Sequence, residues 1–187
     1  MRTALMCATL LAVGGCGRKD VSDEAASAPD SMLSSPAANE PASLTEIAPG
    51  DTAAILSVMR RTMQEIDDLV GELERRDTTL EPVGTEEPRR LSVWIQNGVP
   101  RKLLISEPNN VGAMKAESQF WLVGGELRVV QQPFAAYVMY GDRILVWTDG
   151  ALDPVPDIPD ADRMAREVEL VAQARRWLGV FQLAGGM

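Results

Sequence analysis

The chain has 187 residues and carries 27 acidic against 18 basic side chains, a formal net charge of -9. An evenly spread charge of that sign repels nucleic acid and anionic lipid headgroups. Histidine is absent, and the two cysteines, Cys7 and Cys16, both lie in the first sixteen residues. That excludes the commonest general base, the histidine-dependent nucleophile triads, and both His-containing and Cys-only zinc sites.

In chain order, Arg2 precedes an almost wholly apolar run from Ala4 to Val13, then Gly14, Gly15 and Cys16. This is the positive, apolar and small-residue sequence of a secretory signal. The run is about half of the roughly 20 residues that span a bilayer as a helix. Val13-Gly14-Gly15-Cys16 resembles the lipobox of bacterial lipoprotein precursors. The resemblance implies cleavage before Cys16, diacylglycerol on its sulfur and an acylated new N-terminus. Several acyl chains at one residue fit stable anchoring, since a single chain holds only marginally. Gly17, rather than Asp, follows the cysteine. In enterobacterial lipoproteins that pattern implies the outer membrane, facing the periplasm. No cysteine then remains for a disulfide, so stability rests on the hydrophobic core.

Residues 16–50 read as the lipidated cysteine and a tether. The segment is rich in Ala, Ser, Pro, Asp and Glu and has no sustained period. It cannot bury enough apolar surface to offset its ordering entropy. At ~5–6 Å times the square root of residue number it reaches about 30 Å. A single α+β domain is expected over 51–181, with a short tail over 182–187.

Asp51 or Thr52 is placed to cap a helix, and Ile55, Val58, Met59, Thr62, Ile66, Leu69, Val70 and Leu73 follow at helical spacing. The opposite face mixes Arg60, Arg61, Glu65, Asp68, Glu72 and Arg75, which fits packing on a sheet better than lying on a membrane. A polar linker is expected near TLEPVGTEEP. The period then becomes two, predicting six strands: Leu91–Gln96, Val99–Ile105, Met114–Val123, Glu126–Gln132, Ala135–Tyr140 and Arg143–Thr148. Asn97-Gly98, Gly124-Gly125 and Gly141-Asp142 supply two-residue turns, so a β-meander of three hairpins is expected. Pro100 and Pro133 mark an edge, a strand end or a bulge. Met164, Val168, Val171, Ala174 and Leu178 then predict a C-terminal helix, capped by Asp157 or Asp160 and ending near Gly179. The expected architecture is α+β: helix, antiparallel meander of about six strands, helix, with the helices segregated from the sheet. The aromatic strand, glycine turn and apolar strand ESQFWLVGGELRVV is similar to segments of small bacterial lipoproteins with a helix followed by a β-meander. That likeness implies no function.

Direct pairing across the turns places Trp121 opposite Arg128 and Trp94 opposite Arg101, with Phe120, Leu122, Leu127 and Val129 on the other, apolar face. Trp147 and Tyr140 extend the Trp–Arg face on the same counting. On a one-sided sheet the arginine stems would shield the tryptophans from water. Alternatively the face is an aromatic and cationic platform for a partner, since Trp and Arg are enriched at interface hot spots. A bulge would shift this register.

The acid run DGALDPVPDIPDAD lacks EF-hand spacing and its terminal Glu, so turn and cap acids account for it. Glu117 and Ser118 offer no nucleophile–base pair, and no glycine loop cradles a phosphate. No metal, cofactor or nucleic acid is expected. The first reading is a non-catalytic accessory protein, held to the membrane by its lipid and binding an envelope protein. An inhibitor or immunity protein and a carboxylate-dependent enzyme remain alternatives.

Overall fold

The computed structural model describes residues 44, 47–48, 50–81, 88–106 and 116–183. The signal-like stretch, Cys16 and nearly all of the tether lie outside the described residues, as do 82–87 of the linker, 114–115 of one predicted strand and the last four residues. Among the described residues, no helix is long and apolar enough to cross a membrane.

Helix α1 runs Thr52–Leu69, and Asp51 caps it: its Oδ1 accepts the Ala54 N–H at 3.0 Å. Ile55, Leu56, Met59 and Ile66 form its buried stripe. A short 3-10 turn, Val70–Glu72, follows, and Leu73 is already extended. The chain then forms strand β1, Glu74–Leu80, where a helix end and linker were expected. The sheet therefore has seven strands, not six. The others are β2 Arg89–Gln96, β3 Val99–Ser106, β4 Glu117–Val123, β5 Glu126–Gln132, β6 Ala135–Tyr140 and β7 Arg143–Asp149. Helix α2, Asp160–Val180, closes the domain. Its N-cap is Pro159, which makes no side-chain cap, so neither Asp157 nor Asp160 caps it. Asp160 and Asp162 instead lie in its first turn, where the helix dipole favours negative charge.

The strands lie in chain order, each antiparallel to the next. The turns follow their chemistry. Asn97 and Gly98 both take positive φ, at 51° and 80°, as a type I′ turn requires. Gly124 and Gly125 do the same.

Three hairpins share a deviation from direct pairing. In each, the third residue after the turn is an extra residue, and the register shifts there. Ile95 faces Pro100 but Trp94 faces Lys102, so Arg101 is the extra residue. Leu122 faces Leu127 but Trp121 faces Val129, so Arg128 is extra. Met139 faces Ile144 but Val138 faces Val146, so Leu145 is extra. These are β-bulges, which add twist to the strand that carries them. The expected Trp121–Arg128 and Trp94–Arg101 pairs are therefore replaced by Trp121–Val129 and Trp94–Lys102. Phe120 faces Val130, and Val129 moves to the other face.

The sheet is covered on both sides, which corrects the one-sided sheet and segregated helices expected from sequence. One face presents Leu91, Val93, Ile95, Leu103, Phe120, Leu122 and Met139, among others, to Leu170, Val171, Ala174, Trp177 and Leu178 of α2. The other packs Trp121, Val129, Val138 and Val146 against Ile55, Leu56, Met59 and Ile66 of α1.

The two sheet edges are protected differently. On β7, the Ile144 N–H donates to Glu167 Oε1 at 2.9 Å, and Arg163 donates to the Ile144 carbonyl at 3.3 Å. Further along, the Val155 N–H donates to the Trp147 carbonyl at 2.9 Å. Strand β1 is guarded by charge instead. Arg75 pairs with Asp77 at 2.9 Å and Arg76 with Glu74 at 2.8 Å, each across two residues of one strand face. Charged edges resist pairing with another chain.

Candidate functional site

The predicted Trp–Arg face is dispersed by the fold. Trp121 is 1% exposed and Trp94 is also buried. Asp67, near the end of α1, joins helix to sheet. Its Oδ1 accepts the Trp121 Nε1–H at 2.9 Å and Lys102 Nζ at 2.7 Å. Lys102, itself buried, lies 4.8 Å from the Trp121 ring centroid and 5.9 Å from that of Trp94. A cation against aromatic faces is attracted more strongly when desolvated. The cluster is a structural clamp: all the bonds of its lysine and indole shown here point inward, to α1.

Arg75 crosses the sheet edge to lie 5.2 Å from the Trp94 centroid and donates to Ser92 Oγ at 3.3 Å. Ser92 in turn donates to Asp77. That bond, followed by the Arg75 guanidinium, holds the Asp77 carboxyl below the ordinary aspartate pKa. A depressed folded pKa gives stability that is present above the ordinary value of about 3.9 and lost as pH falls through the folded value. Thermal melts of the parent and of Asp77→Asn between pH 5 and pH 2.5 check this. The parent is expected to lose its advantage over the variant across that range, whereas parallel curves would contradict the linkage.

Of the predicted face, Tyr140 is exposed and Arg101, Arg128 and Trp147 are partly exposed. Tyr140, at the end of β6, is 43% exposed. The Arg128 guanidinium lies 5.2 Å from its ring centroid, and Arg128 Nη2 pairs with Glu126 at 2.7 Å. Its Nη1 is buried with no hydrogen-bond partner, as is Nε of Arg101. Beside Tyr140 lies a largely apolar groove of about 460 Å³, walled by Leu44, Ile47, Ile55, Tyr140, Ile144 and Leu145. It lies where the segment entering α1 meets the rim of the third bulged hairpin. The extra residue Leu145 forms part of its wall.

Trp147 lies on the opposite face from Trp121. It stacks edge-on against Tyr137, with centroids 5.0 Å apart. Arg166 of α2 lies 5.6 Å and 5.7 Å from the two rings and pairs with Glu169 at 2.8 Å. Burial raises the Tyr137 pKa above its ordinary value. Close by is a second pocket of about 300 Å³, with Ser118, Gln132, Tyr137, Arg166 and Gln173 in its wall and Phe134 at its margin. Phe134 is 87% exposed, on the turn after Gln132. Gly150 packs on that turn, since a Cβ there would meet the Pro133 carbonyl at 3.3 Å.

The acids of the run that begins at the end of β7 and the Glu117–Ser118 pair are placed as follows. Ser118 is buried at the start of β4, while its neighbour Glu117 is exposed. Asp149 accepts the N–H groups of Ala151 and Asp153, at 2.8 Å and 3.0 Å, inside its own turn. Among the described residues, no group of three or more acids or cysteines is arranged to hold a metal ion.

Sequence reasoning missed Asp67, Lys102 and Glu167, whose roles depend on distant contacts. One signal for two-sided burial was present. Leu91 to Ile95, Phe120 to Leu122 and Tyr137 to Met139 are nearly unbroken apolar runs, the pattern of strands buried on both faces. The class defined here is an α+β domain with a seven-stranded antiparallel meander between two helices. No protein-family model, curated protein or solved structure matches the chain.

Proposed function

We propose that the chain is a lipid-anchored, periplasm-facing accessory protein of the bacterial envelope, held at the outer membrane through Cys16. In this reading it is non-catalytic and binds a partner protein at the rim formed by Tyr140, Arg128 and the apolar groove. The anchor rests on the signal-like stretch ending Val13-Gly14-Gly15-Cys16. The binding role rests on one observation. With both sheet faces covered by helices, an exposed aromatic ring with a guanidinium against it borders a largely apolar groove of about 460 Å³. Apolar concavities with a few polar groups are the usual form of a recognition site, and an Arg–Tyr pair supplies hot-spot chemistry.

The anchor is tested by metabolic labelling with a fatty acid. Cys16→Ser is expected to abolish incorporation and to leave the precursor unprocessed. Normal labelling of that variant would remove the anchor from the account.

A further inference from the structure

Helix α2 buries one side against the sheet and leaves large apolar residues on the other: Met164 is 56% exposed and Val168 72%. At roughly 100° per residue, Met164, Val168, Ala172 and Arg175 lie within about 60° of one line along the helix. Alongside runs a mostly apolar groove of about 340 Å³, lined by Val168, Val171 and Ala172 and bordered by Asp142, Arg143, Glu167 and Arg175. The outward-facing charges are polarised along the axis. Asp160 and Asp162 stand at the start, where Arg163 is turned to the Ile144 carbonyl and Arg166 to Glu169, Tyr137 and Trp147. Arg175, 3.8 Å from Asp142, and Arg176 stand near the end.

We propose that this face binds a second copy of the chain, with the two α2 helices antiparallel about a two-fold axis at Val168. The charge pattern selects that occupant and that direction. Counting outward from Val168, eight residues back is Asp160, while seven and eight forward are Arg175 and Arg176. An antiparallel copy therefore sets each acidic start against the partner's basic end. A parallel copy would set like charge against like.

Side as well as level agrees. At the same angular step, Asp160 and Arg175 lie on one flank of the Val168 line, Asp162 and Arg176 on the other. This two-fold keeps each flank facing the same flank of the partner. On one, Asp160 meets Arg175 of the other copy. On the other, Asp162 faces Arg176, beside Glu169, which faces the same residue of the other copy and is neutralised by Arg166 of its own helix at 2.8 Å. Four residues from the axis, Met164 of one copy meets Ala172 of the other, at the groove walled by Val168 and Val171. A flexible methionine side chain suits such an irregular hollow. The same patch thus meets itself, as a two-fold interface requires.

Cysteine cross-linking in the full chain reads the register directly, with the parental chain, oxidised in parallel, as the control for Cys7 and Cys16. A disulfide needs Cα atoms roughly 4.4–6.8 Å apart. Val168→Cys is expected to give a covalent dimer. Met164→Cys alone and Ala172→Cys alone are expected to give none, since each lies about 12 Å along the axis from its own copy at 1.5 Å per residue. Met164→Cys combined with Ala172→Cys is expected to restore the cross-link. In the Val168→Cys background, Asp160→Arg with Asp162→Arg should weaken dimer formation at least about tenfold through like-charge contact. Adding Arg175→Asp and Arg176→Asp should restore it. No cross-link at Val168→Cys, equal cross-linking at all three positions, or indifference to charge reversal would each overturn the proposal. The three cysteine positions are exposed, so their comparison stands even if the charge reversals disturb folding.

Discussion

Trp121→Ala is expected to lower the stability of the domain by about 3–5 kcal/mol, the range for truncating a large buried aromatic side chain. The indole is 1% exposed and lies between β4 and α1, among Ile55, Met59, Ile66 and Val129. Its N–H also donates to Asp67, so truncation removes that bond and one face of the Lys102 environment together. For a domain of this size the loss corresponds to a fall in melting temperature of roughly 10–20 °C. Denaturant unfolding followed by circular dichroism measures it. A change below about 1 kcal/mol would mean that the α1 face is not the packed layer described here. The substitution is therefore a probe of folding, although sequence alone marked Trp121 for a partner-binding face.

The second large effect is expected at the Asp67–Lys102 pair. Removing one member of a buried ion pair costs about 3–5 kcal/mol because it strands the other charge. Asp67 is partly open to water while Lys102 is buried, so the two partners are not equivalent. Asp67→Ala leaves Lys102 Nζ among rings without its acceptor, and a loss of about 2–3 kcal/mol is expected after allowance for the solvent near Asp67. Lys102→Met keeps the stem and leaves a carboxylate that water can reach, so a loss below about 1 kcal/mol is expected. The double variant Asp67→Asn with Lys102→Met keeps an acceptor for the Trp121 N–H and should lie within about 1 kcal/mol of the parent. A double-mutant cycle of Asp67→Asn, Lys102→Met and their combination reads the coupling, and strict additivity of those two single changes would contradict the pairing.

Much of this architecture was legible in the sequence, for identifiable reasons. Helix α1 and strands β2 to β7 carry strong apolar periods, and the Asn97-Gly98 and Gly124-Gly125 turns place glycine or asparagine where positive φ is needed. Strand β1 was hidden because its period is written in charge. Glu74 with Arg76 and Arg75 with Asp77 alternate between faces, while few residues of the strand are apolar. The bulges were hidden because one extra residue leaves no mark in composition. Arg101, Arg128 and Leu145 are chemically mixed, yet each is the third residue after its turn. That offset recurs in three hairpins and is recognisable only once their pairing is known.

The candidate site was legible only in part. Tyr140 and Arg128 were both assigned to one surface, and they do meet, though as neighbours beside a groove. Trp121 belongs to the packing under α1, Trp94 is buried between Arg75 and Lys102, and Trp147 belongs with Tyr137 and Arg166 on the other side of the sheet. The difference comes from α1, which closes the face that a one-sided sheet would leave in water. The pairing of Asp67 with Lys102, 35 residues apart, has no local signature.

On the proposed function, recognition falls to the Tyr140 rim while the tryptophans hold the fold. The most direct test measures melting temperature and partner recovery from envelope membranes on the same preparations of the full chain. Tyr140→Ala, at a half-exposed position, is expected to melt within a few degrees of the parent and to lose the partner. Trp121→Ala is expected to melt roughly 10–20 °C lower. A Trp121→Ala protein that keeps the parental melting temperature but loses the partner, beside a Tyr140→Ala protein that retains it, would contradict the account.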